Sequence, residues 1–469
     1  MTGRGDNDVD VLVVIGRPTF DLDSAQPLVE AAIAAADPTT IVAAGGQILQ
    51  TPEEVMAAMK PITSEVGSLV ILFASFADSR LAAAAVDHFD RISDIVLWSL
   101  PEQWTGGRLL RNSLCGANLA AYRIVSDGGA VAMLHERPSP ATQRSIENAV
   151  IRSRRHVQPS FIPSPRTLAG EEEALVAIAV EQLHNTRIGI IGDPPPGFEP
   201  CEVDQEKLPA DASVSRATLG QLFESAERPL SVTDNEEVSD LRDLAGNESL
   251  ERAAIEHSVA LRSGAERLIE RRGWNAVAVR CWPECFDDWG GAACATMALL
   301  NERGIPAACE ADALGALSMR LMQTLSGTPT FLADLVDAEL DSDQVAFWHC
   351  GVAPRSLADP EGSVRVQLHP NRRVPLVFDF GLAPGPVTIA RISQTAGTAR
   401  IVVGEGRILA GQPFEGTSAV VQLKTSARTL LSRVFEEGLE HHFVLASGHH
   451  QHLVEAVASQ LQLPVVYLT

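Results

Sequence analysis

Carboxylates and imidazoles stand at the ends of apolar runs in this 469-residue chain. Glu284 follows WNAVAVRCWP, Glu310 follows GIPAAC, Asp334 lies in TFLAD, His349 follows QVAFW, and His442 sits in the EHH segment before FVLA. Such groups are costly to bury singly, so several of them at strand ends need a shared reason. A hard divalent cation held by oxygen ligands and one imidazole is the simplest. Taken alone, Glu310 could be a surface or capping residue, since CEADALG could start a helix with Asp312 as N-cap. Asp334 resists that reading, because Asp is depleted in strands and costly there. His441 and His442 would each pass for surface residues. The GHHQH run (448–452) reads as the solvent-facing start of a helix.

Other chemistries have weaker footing. VVIGRPTFD and IGIIGDPPPG follow strand-like runs but lack the glycine spacing of dinucleotide or triphosphate loops. Arg17, in the first of them, puts a guanidinium at the mouth of a sheet, where it suits a polyol or an anion. No GxSxG elbow is present. Cys115 and Cys350 could serve as nucleophiles, but scattered cysteines are usually small buried hydrophobes. Cys281 and Cys285 form a CxxxC that His349 and Cys350 could complete as a zinc site, although paired CxxC knuckles are missing.

The elements that must position these groups alternate. From DVDVLVVIG to SDIVLWSLP, strands and helices succeed one another as in a doubly wound parallel sheet. RHVQPSFIPSPRT is the first credible linker. A second α/β block runs from EEALVAIAVEQLHNTR to TFLADL. Ligands of such sheets collect at the carboxyl ends of the strands, which would bring Glu284 and Glu310 together. Beyond it, short β-branched segments separated by Gly and Pro indicate an antiparallel sheet or small barrel, ending in one helix and one strand. The expectation is an α/β fold: two Rossmann-like doubly wound domains (1–165 and 166–340, the latter with the carboxylates), then a β-rich domain (341–469) with the metal histidine.

A formal charge of -23 argues against nucleic acid or an anionic membrane as partner. No stretch approaches the roughly 20 apolar residues of a membrane span, and the polar N-terminus does not read as a secretory signal. Seven scattered cysteines are then best read as reduced, in a cytoplasmic protein.

Several of these segments are similar to those of the L-fucose isomerase and L-arabinose isomerase superfamily, in particular its shorter L-fucose isomerase-like branch. CEADALGALSMRL and FLAD resemble the segments that carry that family's metal-binding Glu and Asp, and Glu310 and Asp334 reproduce their separation. His442, seven residues before His449 and ahead of QLPVV, matches the third ligand's register better than His441 does. Arg17 in IGRPT resembles a substrate-binding arginine. Trp282 in RCWPEC, His349 in FWHCG, and GGRLLRNSLCGANLAA with Arg108, Asn112 and Asn118 sit in blocks typical of the branch. The chain is over a hundred residues shorter than an L-fucose isomerase and has only two Tyr, which bears on the substrate more than on the chemistry.

The resemblance implies a metal-dependent aldose–ketose isomerase working through an enediolate. Glu310 and Asp334 would be ligands and proton shuttles, His442 the third ligand, and Arg17, Trp282 and His349 substrate contacts. Mn²⁺ suits such a site best, with Mg²⁺ and Co²⁺ as alternatives. The partners implied are a small sugar and further copies of the chain, in a hexamer or trimer-based homo-oligomer. Two other readings share the scaffold: an isomerase or decarboxylase of a sugar acid or sulfonated sugar, and a non-catalytic sugar binder.

Overall fold

The run VDVLVVI forms β1 (Val9–Ile15), buried along most of its length, as a strand covered on both faces should be. With β2 (Ile41–Val42), β3 (Val66–Phe73), β4 (Ile92–Ser99) and β5 (Ala132–His135) it makes a parallel sheet of order β2-β1-β3-β4-β5. The computed structural model describes residues 9–154, 160–245 and 250–468. The first eight residues and the start of the linker-like stretch (155–159) lie outside them. The strand expected from TTIVAAGG is cut to two residues, because Ala44, Gly45 and Gly46 all take positive φ and turn the chain.

A second parallel sheet, of order β7-β6-β8-β9, contains β6 (Arg187–Ile191), β7 (Ser213–Ala217), β8 (Ala276–Val279) and β9 (Ala307–Ala308). The third is antiparallel at its centre. It comprises β10 (Phe331–Glu339), β11 (Gln344–His349), β12 (Arg365–Leu368), β13 (Pro375–Gly381), β14 (Gly385–Ser393), β15 (Arg400–Leu409), β16 (Thr417–Leu423), β17 (His442–Ser447) and β18 (Val465–Tyr467). Six strands, β16-β11-β10-β17-β14-β15, close on themselves through β15–β16 pairing, which removes open edges. Two parallel-sheet α/β units and a C-terminal barrel are thus the architecture expected from the sequence.

One strand changes company. TFLADL reads with the central block, yet β10 is hydrogen bonded into the barrel, between β11 and β17. The chain reverses tightly between β10 and β11, and a short turn can join only antiparallel strands. One apolar core runs through all three sheets, from Val11 of β1 through Val277 of β8 to Ile389 of β14. No helix among the described residues is long and apolar enough to cross a membrane.

Candidate active site

Barrel register does much of the positioning. Asp334 on β10 is the direct cross-strand partner of His442 on β17 and of Trp348 on β11. Side chains so paired share one face, about 5 Å apart at Cβ. His442 Nε2 accordingly lies 3.3 Å from Asp334 Oδ1. Glu310 arrives from the second sheet, two residues past β9. It and Ala311 both adopt left-handed backbone (φ 56° and 59°), a conformation costly for residues with a Cβ and one that clusters at functional sites. That turn brings Glu310 Oε2 to 3.6 Å from His442 Nε2. The three residues expected to act together therefore converge.

Behind them the polar groups are pinned. His442 Nδ1 donates to Asp312 Oδ2 (2.9 Å), which leaves Nε2 as the ring's free lone pair. Asp312 also caps the helix Ala313–Ser326 through the Gly315 N–H (2.8 Å), the role its sequence context suggests. Arg391 grips the same carboxylate twice, at 2.7 and 3.0 Å, and lies 3.4 Å from Glu440. Burial opposes ionisation of Asp312, but the Arg391 charge and the His442 bond hold its carboxyl well below the usual range. Trp282 Nε1 donates to Glu310 Oε1 (3.0 Å), and His441 Nε2 lies 3.0 Å from Glu310 Oε2.

The two carboxylates end up unlike each other. Burial pushes Asp334 up to about 6, against the pull of His442 and His441, and the nearby Glu310 charge adds to the rise. Glu310 is equally buried, yet the His441 hydrogen bond and the charges of His442, His441 and His349 keep it below its ordinary value. One acid is thus biased toward carrying a proton and its neighbour toward giving one up, the division that acid–base catalysis needs.

A cavity of about 260 Å³ opens onto this group, lined by Glu310, Asp334, His441 and His349, with Phe20, Phe76, Phe198 and Trp282 as apolar walls. A larger cavity, about 680 Å³, lies against the first sheet beside Trp98 and Ile146 and holds no comparable cluster of acids and imidazoles. Arg17 reaches the smaller cavity but is ion-paired with the buried Asp78. His349 does too. Its Nδ1 accepts the Cys350 backbone N–H (2.8 Å), and its Nε2 lies 2.6 Å from Cys309 Sγ.

Glu284 is the exception. It is turned away to Arg280 (2.6 Å) and does not line the cavity, because it opens a short helix of its own, Glu284–Asp287. Cys309, rather than Cys281 or Cys285, faces His349, and Cys294 Sγ instead approaches Cys350 Sγ at 3.4 Å. Arg108 lies 3.8 Å from Asp21, and Asn118 donates to the Leu439 carbonyl (2.7 Å). Sequence reasoning left three contributors unassigned: His441, whose signal was the doubled histidine; Asn112, whose Oδ1 is buried and unpartnered; and Asp312, whose cap role concealed its bond to His442.

The model of the L-fucose isomerase C-terminal domain matches residues 380–469. The sulfoquinovose isomerase of Clostridium sp. (strain MSTE9) is 31% identical over 459 residues, covering 96% of each chain. That of Priestia megaterium is 30% identical over 460 residues, 94% of this chain and 95% of its own. The chain belongs to the L-fucose isomerase-like family. It is an aldose–ketose isomerase, and its family suggests dependence on a metal. The sulfoquinovose isomerase of Alkalicoccus urumqiensis is 28% identical over 457 residues, 96% of this chain and 97% of its own.

Proposed function

We propose that this isomerase interconverts a sulfonated aldose and its ketose, with Glu310 and Asp334 as the proton-moving pair. The observation that carries the reading is that Glu310 and Asp334 line one cavity with the ring of His442 buried beside both, in a chain whose relatives are named sulfoquinovose isomerases. Asp334 Oδ1 is buried without a hydrogen-bond partner and faces the free nitrogen of His442, so the donor set fits a cation. Two carboxylates and one imidazole favour Mn²⁺ over zinc, with Mg²⁺ and Co²⁺ next. Bound by Glu310, Asp334 and His442, such an ion would supply positive charge beside the two substrate oxygens.

Isomerisation moves one proton between neighbouring carbons, with no net oxidation. Glu310 takes the proton next to the carbonyl, and Asp334 returns one to the adjacent position. Trp282 and His441 fix the Glu310 carboxylate, while Asp312 holds the His442 ring in one tautomer. Arg17 and His349 contact substrate hydroxyls at the cavity wall. Seven unpaired cysteines support a reducing, cytoplasmic setting. The family resemblance supports extending the proposal to a hexameric or trimer-based homo-oligomer.

The test is to incubate protein purified without chelator with sulfoquinovose in D₂O and follow the sugar by NMR. A ketose product carrying solvent deuterium, lost with Glu310→Gln or Asp334→Asn, is the expected result. Turnover of unsulfonated aldoses alone would overturn the substrate assignment. Product free of deuterium would overturn the proton-transfer assignment.

A further inference from the structure

Three arginines line the cavity: Arg17, Arg80 and Arg372. The first two share one acid. Arg17 is ion-paired with Asp78, and Arg80 Nε lies 2.8 Å from Asp78 Oδ1. Much of their charge is therefore answered within the protein. Arg372 is different, because no carboxylate among the described residues pairs with its guanidinium.

Arg372 sits in the turn (369–374) between β12 and β13, and that turn is built to hold it. His369, buried in the cavity wall, accepts with Nδ1 the backbone N–H groups of both Asn371 and Arg372, at 3.2 Å each. The guanidinium lies over the Phe286 ring, 5.6 Å from its centroid, and the edge of His369 packs on the same ring at 5.3 Å. A cation stacked on an aromatic face gives up freedom it would keep in open solvent. Beside it, Asn371 lines the cavity with Oδ1 buried and without a partner. Turned end for end, the same amide offers an N–H there instead. With both Nδ1 contacts made by backbone donors, the proton of neutral His369 belongs on Nε2, which makes that ring a donor.

An unanswered guanidinium, an unspent amide and a neutral imidazole donor at one end of a sugar-sized cavity suit a tetrahedral oxyanion better than a hydroxyl. We infer that this turn receives the substrate's sulfonate, with Arg372 as the residue that discriminates sulfonated from plain sugars and Asn371 as its neighbouring contact. The inference rests on the sulfonated-sugar reading above. It also explains how an acidic protein holds an anionic substrate: the local field at the turn is positive although the chain carries -23 overall.

The test measures kcat/KM for sulfoquinovose and for the matching hexose without the sulfonate, on wild type, Arg372→Gln, Arg372→Lys and Arg80→Gln. Arg372→Gln should lower the ratio of the two values about ten- to a hundredfold, chiefly through KM for the sulfonated sugar, and Arg372→Lys should restore part of it. An unchanged ratio in Arg372→Gln, with wild type active on sulfoquinovose, overturns the assignment and leaves the substrate reading standing. A selective loss in Arg80→Gln instead moves the sulfonate to the Asp78 side and likewise overturns it. Wild type inactive on sulfoquinovose removes the substrate reading itself, a failure separable from the other two. Arg372 is exposed, so its replacements should fold as wild type, with unchanged circular dichroism.

Discussion

The two ends of the cavity are built on opposite plans. At the end proposed for catalysis polar atoms are held from behind: His442 by Asp312, Asp312 by Arg391, Glu310 by Trp282 and His441. At the end formed by the 369–374 turn, no carboxylate among the described residues pairs with Arg372, and Asn371 Oδ1 is buried without a partner. The first arrangement suits chemistry, where misplacement of a fraction of an ångström is expensive in rate. The second suits recognition, where a group must exchange its contacts for those of an arriving ligand. On the proposed reading, one cavity separates turning over from choosing.

The sharpest way to break that contrast is at the proposed proton-moving pair. Glu310→Gln and Asp334→Asn should each lower kcat by about 10²–10⁴-fold while leaving thermal stability near wild type, measured by steady-state assay and calorimetry. Next comes the support layer. Asp312→Ala leaves the buried Arg391 with Glu440 as its one remaining carboxylate partner among the described residues and should cost about 3 kcal/mol in urea titrations. The gentler Asp312→Asn should weaken metal affinity about 10–100-fold by equilibrium dialysis, since the His442 ring loses its charged anchor.

The choosing end offers a pH test. Burial, the Arg372 charge and nearby His349 depress His369 to about 3. Between pH 6.5 and 3 the unfolded chain therefore binds a proton that the native one refuses, and stability falls as pH falls through that window. Relative to His369→Asn, wild type should lose on the order of 2 kcal/mol between pH 7.5 and 5 in urea unfolding. No difference between the two proteins would mean that the imidazole is not buried neutral. Smallest is Trp282→Phe, which keeps the aromatic wall and deletes one bond to Glu310; kcat should drop about tenfold.

The alternation of strands and helices was legible in the sequence because parallel strands buried on both faces are continuous apolar runs, as in VDVLVVI. The barrel was legible from short β-branched segments between Gly and Pro. Asp334 could be picked out because a carboxylate inside such a run needs a partner, whereas Glu310 and His442, each of which also passes for a surface residue, stood out through their likeness to the family's ligand segments. Glu284 looked the same by that rule, and only the short helix that turns it to Arg280 separates it. The pairing of β10 was hidden, since FLADL carries no mark of which sheet it will join. Arg372 was hidden as well: an arginine in a polar turn is ordinary in sequence, and only the ring of Phe286, 86 residues earlier in the chain, distinguishes it.

Glu310 hangs from the second parallel sheet, while Asp334 and His442 belong to the barrel. The constellation is therefore a seam between two bodies rather than a feature of either. Any slackening of the contact between them scatters the three groups before a single strand has melted. Heat should thus extinguish turnover before it erodes helical signal, and a ligand spanning the seam should protect both sheets at once.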